Sequence, residues 1–440
     1  MAATPSRGRE WARRHRAALL AMLVVVVTGM AFSLLWNRVF YHSSNWITPG
    51  DLWSTYRAAQ YVTWGGLGQI YNNPAAFQTF PGIAVILSPV AKLAGALNLS
   101  EGFPVAVAQP TAWLLLGPVQ LALGATLLLP LEQLARRLNV APRRRLMLLA
   151  LEAALIWPSV AIWGHPEDAL SLTLAVYALL AVADGAWTRV GIYFGLAIVI
   201  QPLVVLLVPL TLALVPVRRW PILTVEMLVP SVVLFLPPLV QEWGPTTRIL
   251  LKQPNFVGPN HPTPWVSLAP VITPAQVKMV PVLKHLKLHG GLHRATEVMV
   301  KVHTQPVVAA GPGRIVAVLA ACLIGVYIKV RKPSWPKIIW WAALVLSLRC
   351  VFEPVMVPYY LLPGLALALV VASRDRLLRF YVVAFAAAVD TWLSYFHVSP
   401  WDYYAAMTLP LLVVLAVAYP RSDAAGPLLS RDAERATSFA

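Results

Sequence analysis

The chain has 440 residues, of which 58% are hydrophobic and only 12% are charged, and its mean hydropathy is +0.67. A soluble domain of this length needs far more polar surface, so the composition excludes an ordinary soluble protein and indicates a protein embedded in lipid. The formal net charge of +17 is then better explained by arginines in cytoplasmic loops than by nucleic-acid binding, and the only two cysteines, Cys322 and Cys350, imply no disulfide framework.

The first long apolar segment covers residues 18–38 and follows five arginines. An excess of basic residues marks the cytoplasmic side of a membrane helix, so residues 1–17 are predicted to be cytoplasmic and the loop 41–110 to be external. The segment resembles a signal-peptide core, but it is long enough to span and lacks a clear small-residue cleavage site. We therefore interpret it as a retained first helix, which places Asp51 on the external face.

The next apolar run, residues 80–97, is short and is interrupted by Pro89 and Lys92. If this run and residues 111–131 both crossed the membrane, the arginine cluster at 136–145 would face outward, against the charge rule. We expect residues 80–97 to form a re-entrant or interfacial helix within the first external loop, and residues 111–131 to form the second span. A full crossing by residues 80–97 is the alternative.

A long apolar stretch between residues 189 and 218 has arginines at both ends and Gln201-Pro202 at its centre. It predicts a helical hairpin with its tip near Gln201-Pro202; a single long tilted span is the alternative. About eleven or twelve membrane segments result, with a second external loop at 241–313 and a cytoplasmic tail at 421–440. The remaining spans are predicted at 147–163, 169–186, 221–240, 314–330, 338–352, 359–373, 379–396 and 405–420.

Polar side chains gather at four places on the predicted external face, namely the start of the first loop and residues 163–170, 250–265 and 348–360. Ionisable groups near a membrane are costly unless they are paired or solvated, so each cluster is a candidate functional site. The candidate residues are Asp51, Arg57, His165, Glu167, Asp168, Lys252, His261, Arg349, Glu353 and Tyr360.

Several of these residues have a purely structural alternative. Asp51 could cap the helix that it begins, and Glu167 and Asp168 could complement the dipole of the helix that follows them. The lysines of the second loop could be solvated surface residues. The loop histidines do not have the spacing of zinc ligands, so no metal or other cofactor is predicted, and a divalent cation has no support in the sequence.

The residues after the first span resemble a known family. Asp51, Tyr56, Gly65-Gly66 and Ile70-Tyr71, followed by FPGIAVILSPV at 80–90, resemble the first loop of the GT-C superfamily of polyprenyl-phosphate-sugar glycosyltransferases. The similarity is greatest to glycosyltransferase family 87, the actinobacterial polyprenol-phosphate-mannose-dependent α-mannosyltransferases. Later segments, around Gln201-Pro202 and VPYYLLPGLAL at 357–367, are similar to other GT-C motifs. Pro81-Gly82 stands where the family usually has a double proline, and Gln201 stands where lysine is common.

The resemblance implies an all-α polytopic membrane protein with a GT-C-like bundle, and a catalytic acid that falls on Asp51. Asp51 would act as general base for an inverting transfer of a sugar, expected to be mannose, from a polyprenyl phosphate to a glycolipid or cell-envelope glycan. The predicted phosphate ligands are Arg57, Lys252 and Arg349. The predicted sugar or acceptor ligands are His165, Glu167, Asp168, His261, Glu353 and Tyr360.

Two other functions stay open at this point. A lipid or polyprenyl-phosphate flippase, or another transporter, would also use charged groups near a lateral groove. The concentration of polar groups on one side and the expected lack of charges at mid-membrane depth disfavour it. A non-catalytic GT-C-like protein that only binds lipid is the second alternative.

Overall fold

A computed structural model describes residues 7–72, 77–102, 107–257, 261–287, 293–304, 306–396 and 399–421. The first six residues of the predicted cytoplasmic N-terminus and residues 422–440 of the predicted tail lie outside the described residues. The described part contains seventeen α-helices. In chain order they are α1 (Arg7–Arg14), α2 (Arg16–Phe40), α3 (Gly50–Thr63), α4 (Pro81–Ala96), α5 (Trp113–Ala125), α6 (Leu128–Arg137), α7 (Pro142–Ala161), α8 (Pro166–Ala183), α9 (Trp187–Ile200), α10 (Val208–Leu214), α11 (Trp220–Gln241), α12 (Trp243–Thr247), α13 (Pro312–Arg331), α14 (Trp335–Phe352), α15 (Leu362–Arg374), α16 (Leu377–Leu393) and α17 (Pro400–Ala418).

Seven helical segments of the described chain are long and apolar enough to cross a membrane. Their lengths of 18–25 residues correspond to roughly 27–38 Å, which matches a hydrocarbon core of about 30 Å. The prediction of an α-helical polytopic membrane protein is confirmed at this level. The larger count of eleven or twelve crossings stays a prediction. The seven segments are α2, α5 continuing into α6, α8, α11 with the turn before it, α13, α14 and α17.

Helix α4 occupies the apolar run that we expected to be re-entrant or interfacial. Its 16 residues are about 24 Å long, which is shorter than a hydrocarbon core of about 30 Å. It begins with Pro81 at its first position, where the missing N–H costs nothing. Gly82 lies against the backbone carbonyl of Val199 at the end of α9. This close approach fixes the start of α4 beside the Gln201-Pro202 break.

The chain reverses at Gln201-Pro202, as the hairpin interpretation predicts. Helix α9 ends at Ile200, Gln201 is extended (φ −149°, ψ 119°), and a 3₁₀ segment over Pro202–Leu207 leads into α10. Gly191 packs on Glu226, whereas Gly195 packs between Glu226 and Pro230. Helices α9 and α11 therefore run in the same direction. The segment between them must return along the bundle, so a single long span over residues 189–218 is wrong.

Seven strands accompany the helices in the described residues, and the sequence analysis predicted none of them. Strands β4 and β5 form a long antiparallel hairpin, and β1, β6 and β3 form a small sheet. The β2–β7 pair, His261 opposite Met356, ties the loop 241–313 to the segment after α14. The strands are β1 (Asn255–Phe256), β2 (His261–Pro262), β3 (Val271–Thr273), β4 (Gln276–Lys287), β5 (His293–Thr304), β6 (Val307–Val308) and β7 (Val355–Met356).

The contact between Gly82 and Val199 gives a test of the packing that positions α4. In Gly82→Ala the new Cβ would lie 2.7 Å from the carbonyl oxygen of Val199. We expect the displacement to lower the free energy of unfolding by about 1–3 kcal/mol. Thermal unfolding of the detergent-purified variants measures the loss. Gly95→Ala is the matched control in the same helix, because no atom lies within 4 Å of its Cβ position. Equal melting temperatures for the two variants would contradict this packing.

Candidate functional site

A cavity of about 630 Å³ lies where several helix ends meet. The start of α3, the α7–α8 turn, the hairpin tip at Gln201, the start of α13 and the end of α14 all contribute to its wall. Its size falls within the range of about 300–1,000 Å³ that is typical of ligand sites. Among the residues predicted from the sequence, the cavity is lined by Asp51, His165, Glu167, Arg349 and Tyr360.

Asp51 lies in the first turn of α3, with its side chain 69% exposed. The N-cap of this helix is Pro49, and no side chain caps it. The capping alternative for Asp51 is therefore wrong. A carboxylate in the first turn still interacts favourably with the helix dipole, which helps to keep it ionised. Asp51 is thus held at the cavity edge by its helix while its carboxylate stays accessible.

The turn between α7 and α8 brings His165 to Asp51. Gly164 has a φ of +70°, and a Cβ at this position would lie 2.5 Å from Pro49 and 2.9 Å from Leu52. Only glycine fits both the left-handed backbone and this close approach to α3. Pro166 then begins α8 at its first position. The sequence Gly164-His165-Pro166 therefore directs the imidazole toward the start of α3.

His165 bridges two carboxylates. Its Nε2 lies 3.2 Å from Oδ2 of Asp51 and its Nδ1 lies 2.7 Å from Oε1 of Glu167, while the ring stacks on Tyr359 at 3.9 Å. Burial alone would lower the pKa of His165, but the charge of Glu167 and the hydrogen bonds to both carboxylates raise this pKa to about 10. The imidazole is therefore a cation that donates from both nitrogens. Its hydrogen bond and charge lower the pKa of Asp51, although partial burial opposes the shift.

Two arginines, Arg314 and Arg349, form another part of the cavity wall. The guanidinium of Arg349 lies 3.4 Å from the ring centroid of Tyr360, and its Nε is 3.8 Å from Glu353. Arg314 donates to Glu353 from Nε at 2.9 Å and from Nη2 at 2.8 Å. Glu353 is thus neutralised chiefly by Arg314. The buried Nη1 of Arg349 has no hydrogen-bond partner among the described residues, so it is an unsatisfied donor on a side chain that lines the cavity.

The sequence analysis did not select Arg314 or Gln253, which both line the cavity. Gln253 accepts a hydrogen bond from Nη1 of Arg314 and has a φ of +40°, an unusual conformation for a residue with a side chain. The only sequence signal for Arg314 is its place in the first turn of an apolar helix, after Gly311-Pro312-Gly313. Cations are unfavourable at a helix N-terminus unless another group compensates them.

Asp168 lies behind His165 and is almost fully buried. Its Oδ1 accepts a hydrogen bond of 3.1 Å from Gln201, whereas Oδ2 of Asp168 and Oε2 of Glu167 have no partner among the described residues. His165, Glu167 and Asp168 offer ligand atoms within 4.8 Å of one another, a spacing at which they could hold a divalent cation. Such a ligand must be a neutral imidazole, so a protonated His165 and a cation bound to its nitrogen exclude each other.

Five of the ten predicted site residues do not line the cavity, and Asp168 is one of them. Arg57 bonds Gln60 at 2.9 Å, pairs with Glu101 at 3.8 Å, and lies beside the rings of Tyr61 and Trp64. Lys252 is exposed and lines a neighbouring groove. His261 is buried in β2 and stacks on Tyr403 at 3.8 Å. Glu353 takes part indirectly, through its contacts with Arg314 and Arg349.

Two further carboxyl groups are buried within helices, away from the lining of the cavity. Glu152 in α7 and Asp390 in α16 are fully buried, and their four carboxyl oxygens have no hydrogen-bond partner in the described structure. The expected lack of charges at mid-membrane depth stays a prediction, because burial in the helical bundle does not give the depth of a residue in a membrane. Buried carboxyls in apolar helices are typical of ion or proton pathways.

Comparison with known protein families and with characterised proteins finds no match to this chain. The assignment of a function therefore depends on the residues of the cavity and on their chemistry. These residues combine an accessible, ionised carboxylate with an arginine that has an unused donor.

The bridge between His165 and Asp51 predicts a measurable change in protonation. His165→Gln keeps a hydrogen-bond donor but removes the positive charge, so the pKa of Asp51 should rise toward that of an ordinary carboxyl group. A carbodiimide reacts with protonated carboxyls, so its labelling of Asp51 at mildly acidic pH should increase in this variant. Peptide mass spectrometry measures the labelling, with Asp402, which bonds Ser399, as the internal control. Unchanged labelling of Asp51 would contradict the cationic bridge.

Proposed function

We propose that this protein is a membrane glycosyltransferase that moves a sugar from a polyprenyl-phosphate donor to a glycolipid or cell-envelope glycan on the external face. The proposed sugar is mannose. The observation that carries the proposal is the pairing of two groups in one cavity. Asp51 provides an accessible carboxylate held ionised by His165, and Arg349 provides a buried guanidinium with an unused donor. Sugar transfer from a phosphate needs both a base and a cation for the phosphate.

Asp51 acts as the general base. The acceptor oxygen attacks the anomeric carbon, the bond from that carbon to the phosphate oxygen breaks, and the polyprenyl phosphate leaves with the bonding electrons. The hydroxyl proton passes to Asp51, which becomes neutral. A carboxylate with a lowered pKa is a weak base, but it suffices because the hydroxyl becomes acidic as the new C–O bond forms. Direct displacement by a base-assisted hydroxyl inverts the anomeric configuration.

Arg349 binds the phosphate in this proposal. Its planar guanidinium stacks on Tyr360. A shift of the side chain on donor binding turns the unpaired Nη1 toward a phosphate oxygen. Arg314 also lines the cavity and is already bonded to Glu353 and Gln253. It adds positive potential without losing these bonds. As the leaving group gains charge, these preorganised cations stabilise it more than they stabilise the bound donor.

Polar groups between the base and the arginines are available for the sugar. Gln201, Asn255 and the side chain of Glu167 line the cavity, and Oε2 of Glu167 has no partner in the described part of the chain. Sugar hydroxyls donate to carboxylates and accept from amides. Asp168 holds Gln201 at 3.1 Å, so its role in this proposal is to orient that amide. His165 keeps its two carboxylate contacts and positions Asp51.

A flippase or transporter is the second candidate, and the buried carboxyls of Glu152 and Asp390 favour it. Such groups can carry protons through a bundle of apolar helices. Movement of polyprenyl phosphate across vesicle membranes, without formation of a labelled glycolipid, would support this candidate over the transferase.

Replacement of the base tests the transferase directly. Asp51→Asn preserves size and removes the proton acceptor, so kcat for sugar transfer should fall by about 10²–10⁴-fold while donor binding changes little. Purified protein, labelled polyprenyl-phosphomannose and lipid acceptors provide the assay. Ser54→Ala, which changes another residue of the same helix and cavity wall, is the matched control. Transfer by Asp51→Asn at the wild-type rate would refute the mechanism.

Replacement of the phosphate ligand should affect binding of the donor. Arg349→Lys keeps the positive charge but loses the fork of donors, and we expect donor affinity to fall roughly tenfold or more. Binding of polyprenyl phosphate to the purified variant measures the effect. Arg57→Lys serves as the control, because Arg57 lies outside the cavity. Equal losses in both variants, or no loss in Arg349→Lys, would show that Arg349 does not bind the phosphate.

A further inference from the structure

Two smaller cavities lie next to the catalytic cavity, and we call them together the side groove. The first, of about 550 Å³, shares Phe77, Gln78, Pro254 and Phe256 with the wall of the catalytic cavity. The second, of about 370 Å³, shares Gly244 and Arg248 with the first and extends to Lys252. The three cavities therefore lie side by side, and a molecule that spans them passes the shared aromatic residues to reach Arg248 and Lys252.

Stacking between buried aromatic side chains supports the aromatic part of the side groove. Tyr71 stacks with Phe77 at 5.7 Å and with Phe235 at 6.3 Å, and it is almost fully buried. Asn72 donates to Glu242 at 3.0 Å, which joins the first loop to the segment after α11. Aromatic rings of this kind offer apolar faces to sugar rings or acyl chains. The groove is thus built by two loops that are far apart in sequence.

Arg248 and Lys252 form the distal end of the groove. They lie four residues apart on one π-helical turn, Arg248–Lys252, and both side chains are exposed. Like charges at this spacing repel each other. Neither has a carboxylate within ion-pair distance in the described part of the chain. Single π-turns are frequent at functional sites, and this one leads directly into Gln253, which lines the catalytic cavity.

We infer that the side groove binds the acceptor, and that Arg248 and Lys252 bind an anionic group on it, such as a phosphate diester. This inference rests on the proposed function and narrows its acceptor to an anionic glycolipid or glycan. The hydroxyl that reacts lies at Asp51, and the anionic group lies at the far end of the groove. Two cations without a carboxylate partner among the described residues, next to aromatic residues that also line the catalytic cavity, fit such a molecule better than a neutral one.

The test compares a neutral acceptor with one that carries a phosphate diester. Octyl mannoside is neutral, and octyl mannosylglycerophosphate presents the same sugar with one negative charge. Binding of each to the full-length protein in phosphatidylcholine nanodiscs is measured without donor. In Arg248→Gln/Lys252→Gln, affinity for the charged acceptor should fall roughly tenfold or more, and affinity for the neutral one should not change. Arg331→Gln/Lys332→Gln, which removes two exposed cations from the end of α13, is the charge-matched control.

Each alternative outcome has a defined meaning. Equal weakening for both acceptors, or no weakening, would overturn the anionic subsite. Binding of inorganic phosphate as tightly as the charged acceptor would show a site for free anions and would overturn it too. With donor present, KM for the charged acceptor should rise in the double variant while kcat is retained. A further outcome is that neither the wild type nor any variant transfers sugar while binding of the charged acceptor still depends on Arg248 and Lys252. In that case the anionic subsite stands and the proposed transferase function fails.

Discussion

The site depends on one interaction, the bridge of a protonated His165 between Asp51 and Glu167. Three carboxyl groups, those of Asp51, Glu167 and Asp168, lie around one imidazole at the mouth of the cavity. Without the cation, neighbouring carboxylates would repel one another and at least one would take up a proton. With the cation present, Asp51 stays ionised, and the imidazole of His165 orients its carboxylate. That imidazole is itself held by its bond to Glu167 and by stacking on Tyr359. The proposed chemistry needs this ionised, accessible carboxylate.

The helical fold brings charged groups from segments far apart in the sequence to one place. Gly164 allows the α7–α8 turn to touch α3, and the break at Gln201-Pro202 returns the chain so that an amide faces Asp168. Across the cavity, Arg314 neutralises Glu353 and leaves Arg349 available. A buried arginine donor without a hydrogen-bond partner is costly, and a bound anion relieves that cost. Glu152 and Asp390 do not take part in the cavity, and they are the observation that favours a transport function as the second candidate.

The sequence predicted the parts that follow from local pattern. Apolar segments predicted the membrane helices, and Gln201-Pro202 predicted the break in α9, because a proline within an apolar run interrupts hydrogen bonding. Contacts between distant residues could not be read in this way. Arg314 meets Glu353 and Gln253 across 39 and 61 residues. Arg57, six residues after Asp51, lies roughly 120° around the helix from it, which explains why only Asp51 reaches the cavity. Some of the short strands depend on pairings such as β2 with β7, which link segments far apart in the chain. The long hairpin of β4 and β5 pairs neighbouring segments, and the sequence analysis missed it.

The most direct test of the account is a cryo-electron microscopy structure of Asp51→Asn with polyprenyl-phosphomannose bound. This substitution preserves the shape of the cavity and should prevent turnover. We expect the phosphate within hydrogen-bond distance of Nη1 of Arg349, and the mannose between that phosphate and the side chain at position 51. A phosphate held elsewhere, or a donor whose anomeric carbon is remote from position 51, would contradict the central claim that this cavity performs sugar transfer with Asp51 as base.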